Sequence, residues 1–156
     1  MAAPEAKGKD LKGYLAEIEK LCNEYLVEKA PSLPDGAREA IVKFGPWISL
    51  VLLVMAAPAL FALFGLGTFL APFSFLGGLG VGFGYTLSMI FTAVVMVIQV
   101  IALPGLFKRA KSSWTLMFYV ALLEGVHQLV SFNLGGLIIG TLLSLYILFQ
   151  VRSYYK

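Results

Sequence analysis

Charged residues are scarce in this sequence. They make up 13% of its 156 residues, and hydrophobic residues make up 59%, whereas a soluble domain carries about a quarter charged residues. No Asp, Glu, Lys or Arg occurs between Lys43 and Lys108, and Glu124 is the only one from Ser112 to Val151. This composition excludes an ordinary soluble enzyme and a disordered chain. It predicts an integral membrane protein that lies in the lipid bilayer.

Cysteine and histidine are equally scarce. A single cysteine, Cys22, excludes a disulfide framework, and a single histidine, His127, excludes a metal site with several His ligands from one chain. The sequence also has no Ser-His-Asp set, phosphate-binding loop or Cys-x-x-Cys motif. We therefore expect no metal, no other cofactor, no catalytic residue and no enzymatic activity. Residues 1–43 contain seven Lys/Arg and eight Asp/Glu without a basic stripe, so we expect no nucleic-acid binding.

The N-terminal region has the pattern of an amphipathic helix from residue 9 to residue 30, after a frayed stretch over residues 1–8. Its polar face carries charges of both signs, whereas a helix that lies on a membrane usually has a face rich in Lys and Arg. We therefore expect the helix to pack on protein, either on its own membrane domain or on another copy. Pro31 and Pro34 end it, and Asp35 is expected to cap a short helix through Phe44. The apolar positions of the first helix are Leu11, Tyr14, Leu15, Ile18, Leu21, Cys22, Tyr25 and Leu26.

The rest of the chain is long enough for four membrane spans. They are expected at roughly 46–70, 79–103, 113–131 and 134–151. The predicted fold is therefore all-α, with a cytoplasmic segment (1–44) that contains the amphipathic helix and a four-helix transmembrane domain (45–156) of two tandem hairpins. These hairpins cover about 45–105 and 112–151.

The distribution of cations sets the expected orientation. Lys108, Arg109 and Lys111 lie between the second and third spans, and further cations flank the two outer spans. The other two connections carry no charge. By the positive-inside rule, both termini are expected in the cytoplasm, with the protein in the plasma or inner membrane.

The two predicted hairpins share a sequence pattern. Residues 74–79 and 131–137 both begin with Ser-Phe and end with Leu-Gly-Gly-Leu, with Asn133 as an extra residue in the second segment. Matches continue at an offset of 58 residues, as between Gly82 and Gly140. The pattern indicates an internal duplication. The alternative is that segments rich in Gly, Leu and Phe match by chance.

Small residues recur every four positions in the second and fourth spans, which is typical of close helix packing in membranes. These helices are expected to pack against each other, against the first and third spans, or across a subunit boundary. A homo-oligomer in the bilayer is the expected assembly. The predicted packing residues are Gly78, Gly82, Thr86, Gly136, Gly140 and Ser144.

Glu124 is expected about 16 Å into the third span, near the centre of the hydrocarbon core. His127 and Gln128 follow at helical spacing on the same face. An ionisable residue at this depth normally faces protein, a partner or water. Three interpretations remain open: a proton or cation site with His127 as relay or second ligand, a Glu–His pair that fixes packing, or a protonated Glu124 hydrogen-bonded across a subunit contact. Gln99 is placed near the end of the second span, in reach of water.

Two functional hypotheses follow from these patterns. The first is a non-enzymatic interaction or structural protein that self-associates through its glycine faces and binds a cytoplasmic protein through residues 9–44. The alternative is a small oligomeric transporter or channel for protons or small ions, with Glu124 and His127 near the middle of the membrane.

Overall fold

The computed structural model describes residues 10–156. The predicted frayed stretch over residues 1–8 and residue 9, where the first helix was expected to begin, lie outside the described residues. Throughout residues 10–156 all regular structure is helical, and this range contains no strand. The prediction of an all-α chain is confirmed there.

Five α-helices make up most of the described chain: α1 (Leu11–Asn23), α2 (Asp35–Ser74), α3 (Leu79–Phe107), α4 (Lys111–Val130) and α5 (Leu143–Gln150). Shorter helical segments extend or connect them: π-helical Glu24–Glu28 after α1, 3₁₀ Phe75–Gly77 before α3, π-helical Gly136–Leu142 before α5, and 3₁₀ Arg152–Tyr154 after α5.

Helix α2 continues where the sequence predicted a new element. It passes through Gly45 and Pro46 without a break, and Asp35 is its first residue, with Pro34 at the capping position. A proline inside a helix removes one backbone hydrogen bond and bends the helix. In an apolar environment the remaining backbone groups still need partners within the helix, which favours continuation over a break. The short separate helix expected through Phe44 is therefore the first part of α2.

Two helical stretches are long and apolar enough to cross a membrane, Asp35–Gly77 and Leu79–Phe107. They support the predicted membrane location. Helix α4 has 20 residues, but its polar residues, among them Glu124 and His127, lower its hydropathy. The apolar helix Gly136–Gln150 is shorter than the roughly 20 residues that a span needs. The third and fourth spans stay a prediction.

The helices pack in a simple order along the chain. Helix α3 contacts both α2 and α4, and α4 contacts the π-helical segment Gly136–Leu142 and α5. The segment Glu24–Glu28 packs on α5. This order brings α3 and α4 face to face, and it brings the N-terminal region to the C-terminal end of α5.

The buried core lies between α4 and α5. Its aromatic centre consists of Trp114, Phe118 and Phe149, with the rings of Trp114 and Phe149 edge to face at a centroid distance of 5.2 Å. Cys22 and Leu26 pack against this core from the N-terminal segment. The N-terminal helix thus packs on helices of its own chain, α4 and α5, and not only on another copy; whether these two helices cross the membrane stays a prediction.

Candidate functional site

The polar residues predicted in α4 lie together at the contact between α3 and α4. Glu124, His127 and Gln128 line one cavity of about 360 Å³, and Thr92 and Gln99 of α3 line its other side. Spacings of three and four residues place the α4 side chains on one helix face. The facing helix α3 supplies a hydroxyl and a carboxamide that the sequence pattern did not identify.

His127 is held by contacts with α3. Its ring stacks on Phe91 with a centroid distance of 4.6 Å and an interplanar angle of 17°. Its Nε2 lies 3.4 Å from the hydroxyl oxygen of Ser88. A neutral imidazole has one donor and one acceptor nitrogen, so either tautomer can make this hydrogen bond. The position of His127 is therefore compatible with proton exchange.

Gln99 lines this cavity and two others. With Glu124 and Ser144 it lines a second cavity of about 180 Å³, and with residues of α2 it lines a third, mainly apolar cavity of about 260 Å³. Helix α3 continues to Phe107, about two turns beyond Gln99, so Gln99 lies farther from the end of the helix than from the predicted end of the span at residue 103. Its one signal in the sequence is a lone carboxamide within a long apolar run.

The cluster contains a carboxyl group, an imidazole, two carboxamides and several hydroxyls. These groups can accept, donate and hold a proton, or surround a small monovalent cation with oxygen atoms. Within residues 10–156, no group of three or more His, Cys, Asp and Glu side chains is placed to hold a metal ion. The chemistry open to the cluster is therefore proton exchange or cation binding.

The six predicted packing residues do not form one packed face within the chain. A Cβ atom at Gly82 would overlap the ring of Phe75, and a Cβ atom at Gly136 would lie 2.6 Å from Gln128 Oε1. Nothing lies within 4 Å of such an atom at Gly140. The others are also in unlike environments: Gly78 has a φ of 109° before α3, Thr86 donates to the Gly82 carbonyl at 2.9 Å, and Ser144 is exposed.

Other glycines make close contacts between helices that the sequence did not indicate. The Tyr85 hydroxyl donates to the Gly67 carbonyl at 3.4 Å, which joins α3 to α2. A Cβ atom at Gly125 of α4 would lie 2.9 Å from Thr141 Cγ2. Gly67 packs on Tyr85 and Met89, and Gly125 packs on Thr141; neither belongs to a regularly spaced row of small residues that the sequence could reveal.

The matched loops of the predicted duplication have different backbone conformations. In the first, Gly78 has a positive φ and precedes α3. In the second, the positive φ of 54° belongs to Phe132, and Gly136 is the first residue of a π-helical segment. Asn133 Oδ1 accepts a hydrogen bond from the Gly136 amide at 3.0 Å. The duplication stays a prediction.

A second polar cluster connects the two ends of the described chain. Gln150 is 3% exposed, and its amide donates to the Leu26 carbonyl at 2.8 Å. Its Oε1 accepts from the Leu33 amide at 3.2 Å and from Arg38 Nη2 at 3.0 Å. One side chain thus joins the N-terminal helical segment, the following loop and the first turn of α2 to α5.

Arg152 adds an ionic contact beside Gln150. Its guanidinium group pairs with Glu19 of α1 and lies over the Trp114 ring, 5.0 Å from the centroid. The Trp114 indole donates to the Leu148 carbonyl at 2.8 Å. Charge pairing, cation–π contact and hydrogen bonding therefore hold α1 against the end of α5.

The predicted apolar face of the N-terminal helix divides into two parts. Cys22 and Leu26 pack on the core, and burial raises the pKa of the Cys22 thiol, with a further rise from the nearby Glu19 carboxylate. The other part points away from the chain and is 76% exposed at Leu11 and 57% exposed at Tyr25. We call this exposed row the α1 stripe; it consists of Leu11, Tyr14, Ile18, Leu21 and Tyr25.

A scan of the chain against protein-family models finds no match, and neither curated proteins nor solved structures match it. The two polar clusters and the α1 stripe are therefore the features from which a function can be inferred.

Proposed function

We propose that this chain is a non-enzymatic integral membrane protein whose role is interaction. Four helices cross the bilayer with both termini in the cytoplasm, copies of the chain associate through the fourth helix, and the N-terminal helix binds a cytoplasmic protein. The observation that carries the proposal is the α1 stripe, a row of exposed apolar side chains on a helix that is fixed in place.

The fixed position of α1 makes its stripe a surface for a partner. Arg152 and Gln150 hold the opposite side of the helical segment, so the stripe cannot turn inward without breaking these contacts. Its spacing of alternately three and four residues is the pattern that one helix presents to another. Exposed apolar rows are unfavourable in water and mark interaction surfaces.

The charges beside the stripe favour a protein partner over lipid. Glu24 and Lys29 form an ion pair at 2.8 Å, and the polar face has acidic as well as basic residues. Helices that bind membrane surfaces have predominantly basic polar faces. The expected occupant is therefore an amphipathic helix of a cytoplasmic protein.

The proposed topology has support from the cations. Arg38, Lys111 and Arg152 belong to three segments that the positive-inside rule places in the cytoplasm, and they line the same cavity. These three segments therefore lie at one end of the bundle. The connections at 75–78 and 131–134 carry no charge, as expected for the opposite side.

Self-association through the fourth helix rests on Gly140 and Ser144. Space is open beside Gly140, and Ser144 is exposed, so a second helix can approach the backbone closely there. Gly82 lacks this property because Phe75 of the same chain already covers it. The two glycines that match in sequence should therefore have different roles.

Photo-crosslinking tests the stripe. A photoreactive residue in place of Leu21 should give an adduct with a discrete cytoplasmic protein, whereas the same residue in place of Lys20, on the charged side, should not. The double substitution Tyr14→Ser and Ile18→Ser should remove the adduct. Adducts with lipid alone at position 21 would contradict the proposal.

Native mass spectrometry tests self-association. Gly140→Leu should leave a folded chain and shift the assembly to monomers, because a Cβ atom at this position has no neighbour within 4 Å in the chain. Gly82→Leu should instead lower the thermal stability, since it collides with Phe75. An unchanged mass for Gly140→Leu would show that this face does not join subunits.

The second candidate function is proton or small-cation transport by an oligomer. It is favoured by Gln99, which lines three cavities, two of them together with Glu124. A row of polar groups beside adjoining cavities can provide steps for a proton or a small cation. In this function Glu124 is the carboxylate that binds the ion and His127 is the relay or second ligand.

Flux into proteoliposomes tests the second candidate. Wild-type protein should carry protons or monovalent cations, and Glu124→Gln should abolish the flux at equal reconstitution. Glu39→Gln, which removes an exposed acid at the start of α2, is the matched control and should retain the flux. Absence of flux in the folded, inserted wild type would leave Glu124 and His127 as packing residues.

A further inference from the structure

A cavity at one end of the bundle has the composition of an anion site. It has a volume of about 480 Å³, within the range of small-molecule sites. We propose that this cavity, here called the basic cavity, binds a phosphate group, either of a soluble phosphate or of a lipid headgroup. Its polar lining residues include Asn23, Arg38, Lys111, Arg152, Ser153 and Tyr155.

The charge of the lining is positive. Arg38, Lys111 and Arg152 line the cavity, and its lining contains no acidic residue. Glu19 pairs with Arg152, which leaves the charges of the other two less compensated. Asp35 lies 3.8 Å from Arg38, but its side chain is 94% exposed, so solvent screens the attraction. The cavity therefore attracts anions.

One terminal nitrogen of Arg38 is left for a ligand. Its Nη2 donates to Gln150, whereas its Nη1 lies 3.8 Å from the exposed Asp35 carboxylate, which is too far for a hydrogen bond. Guanidinium groups match phosphate oxygens in geometry. Because Arg38 lines the cavity, its Nη1 can donate to a phosphate there.

Neutral donors complete the lining. Burial raises the pKa of Tyr155, so its hydroxyl stays protonated at neutral pH and can donate a hydrogen bond. Asn23 and Ser153 add an amide and a second hydroxyl. Lys111 is the first residue of α4; its backbone amide already donates to the Lys156 carbonyl at 3.0 Å, so its contribution to the lining is the charge of its side chain. All these groups favour an acceptor-rich ligand with negative charge.

The location admits two sources of the phosphate group. In the proposed topology the basic cavity lies at the cytoplasmic surface, where anionic headgroups bind basic pockets between helices. A soluble phosphate compound can reach the same end from the cytoplasm. The headgroup source rests on the proposed membrane topology, whereas binding of soluble phosphate does not require it, so the two can fail separately.

The experiment uses the full chain in phosphatidylcholine nanodiscs and in a neutral detergent. Calorimetry with inorganic phosphate tests the soluble source, and native mass spectrometry with phosphatidylglycerol against phosphatidylcholine of equal chain length tests the headgroup. The main variant is Lys111→Gln, whose side chain takes no part in the Gln150 contacts. The matched control is Lys108→Gln, which removes the same charge nearby but outside the lining.

Binding of inorganic phosphate that weakens about tenfold in Lys111→Gln and is unchanged in Lys108→Gln would support a soluble ligand. Phosphatidylglycerol adducts with the same dependence would support a headgroup, and both results together would support a site open to either. Arg38→Gln should weaken binding as well, with its fold checked by thermal unfolding. Absence of both kinds of binding in the wild type, or equal loss in the two lysine variants, would overturn the proposal.

Discussion

The first half of the helical domain (α2 and α3) and its second half (α4 and α5) are stabilised in different ways. Between α4 and α5, aromatic residues such as Trp114 and Phe149 are almost fully buried. In α2, the most apolar stretch contains no buried residue, and Phe61 is 80% exposed. Lipid can solvate such a surface as well as protein can, so α2 needs few contacts. The second half resembles the core of a soluble protein.

The difference extends to the N-terminal segment. Residues 19–38 are joined to the second half by the hydrogen bonds of Gln150 and the ion pair of Arg152. Polar contacts with sequence separations above 100 residues thus hold the N-terminal segment in place. The comparison indicates that aromatic packing and long-range polar contacts concentrate in the second half, whereas α2 keeps most of its apolar surface exposed.

The largest effect is expected from truncating the buried core. Trp114→Ala should destabilise the protein by about 3–5 kcal/mol, since it removes a packed ring and the hydrogen bond to Leu148. Phe61→Ala on the exposed surface of α2 should cost less than about 0.5 kcal/mol. Unfolding by increasing SDS in mixed micelles measures both, and equal losses would remove the distinction between the halves.

The next effect concerns Gln150. Gln150→Leu should destabilise the protein by about 2 kcal/mol, because it leaves the Leu26 carbonyl and the Leu33 amide without their partner. It should also loosen the N-terminal segment, which hydrogen exchange of residues 11–33 would detect. Ser112→Ala, an exposed change at the start of α4, is the control. Unchanged exchange in Gln150→Leu would contradict the proposed attachment.

A smaller effect is expected at the single cysteine. Since burial raises the pKa of Cys22, less thiolate is present at neutral pH, and maleimide labelling should be slow. The substitution Tyr14→Cys, in a Cys22→Ser background, places the thiol on the α1 stripe, where it should react several-fold faster. Labelling of Cys22 should accelerate in Arg152→Gln. Equal rates at positions 14 and 22 would show that α1 is not packed on the core.

The smallest effect is expected at the exposed ion pair between Lys29 and Glu24, at the π-helical segment that follows α1. The hydrogen bond from Lys29 to Glu24, and then its charge, lower the pKa of Glu24. A carboxylate with a lowered pKa stabilises the fold above its unfolded pKa, and this contribution is lost as the pH falls through the folded value. Lys29→Gln should raise the pKa of Glu24 in an NMR titration, whereas the distant Lys43→Gln should not.

The sequence allowed the helices to be located with good accuracy. The second predicted span, 79–103, begins at the first residue of α3 (Leu79–Phe107) and ends four residues before its last. The third, 113–131, agrees with α4 (Lys111–Val130) to within two residues at each end. Breaks in the apolar runs, marked by charges and glycines, carry this information. Continuity of α2 could not be predicted, because Pro46 at the edge of an apolar run is compatible with either a bend or a break.

The candidate sites could be predicted only in part. Helical spacing was enough to place Glu124, His127 and Gln128 together. It could not reveal Ser88, Phe91 or Gln99 as their neighbours, because the sequence does not specify how α3 is rotated relative to α4. For the same reason Gly82 and Gly140 have the same pattern but different surroundings, and the role of Gln150 depends on residues more than 100 positions away.

The attachment of the N-terminal helix has a consequence for biosynthesis. Gln150 and Arg152 leave the ribosome after α1 to α4, so α1 is synthesised well before the residues that attach it. Until then both apolar sides of the N-terminal helix are uncovered. During this interval Cys22, Leu26 and the α1 stripe are all exposed as one apolar surface. Attachment to α5 then covers the side with Cys22 and Leu26 and leaves the α1 stripe for another protein surface.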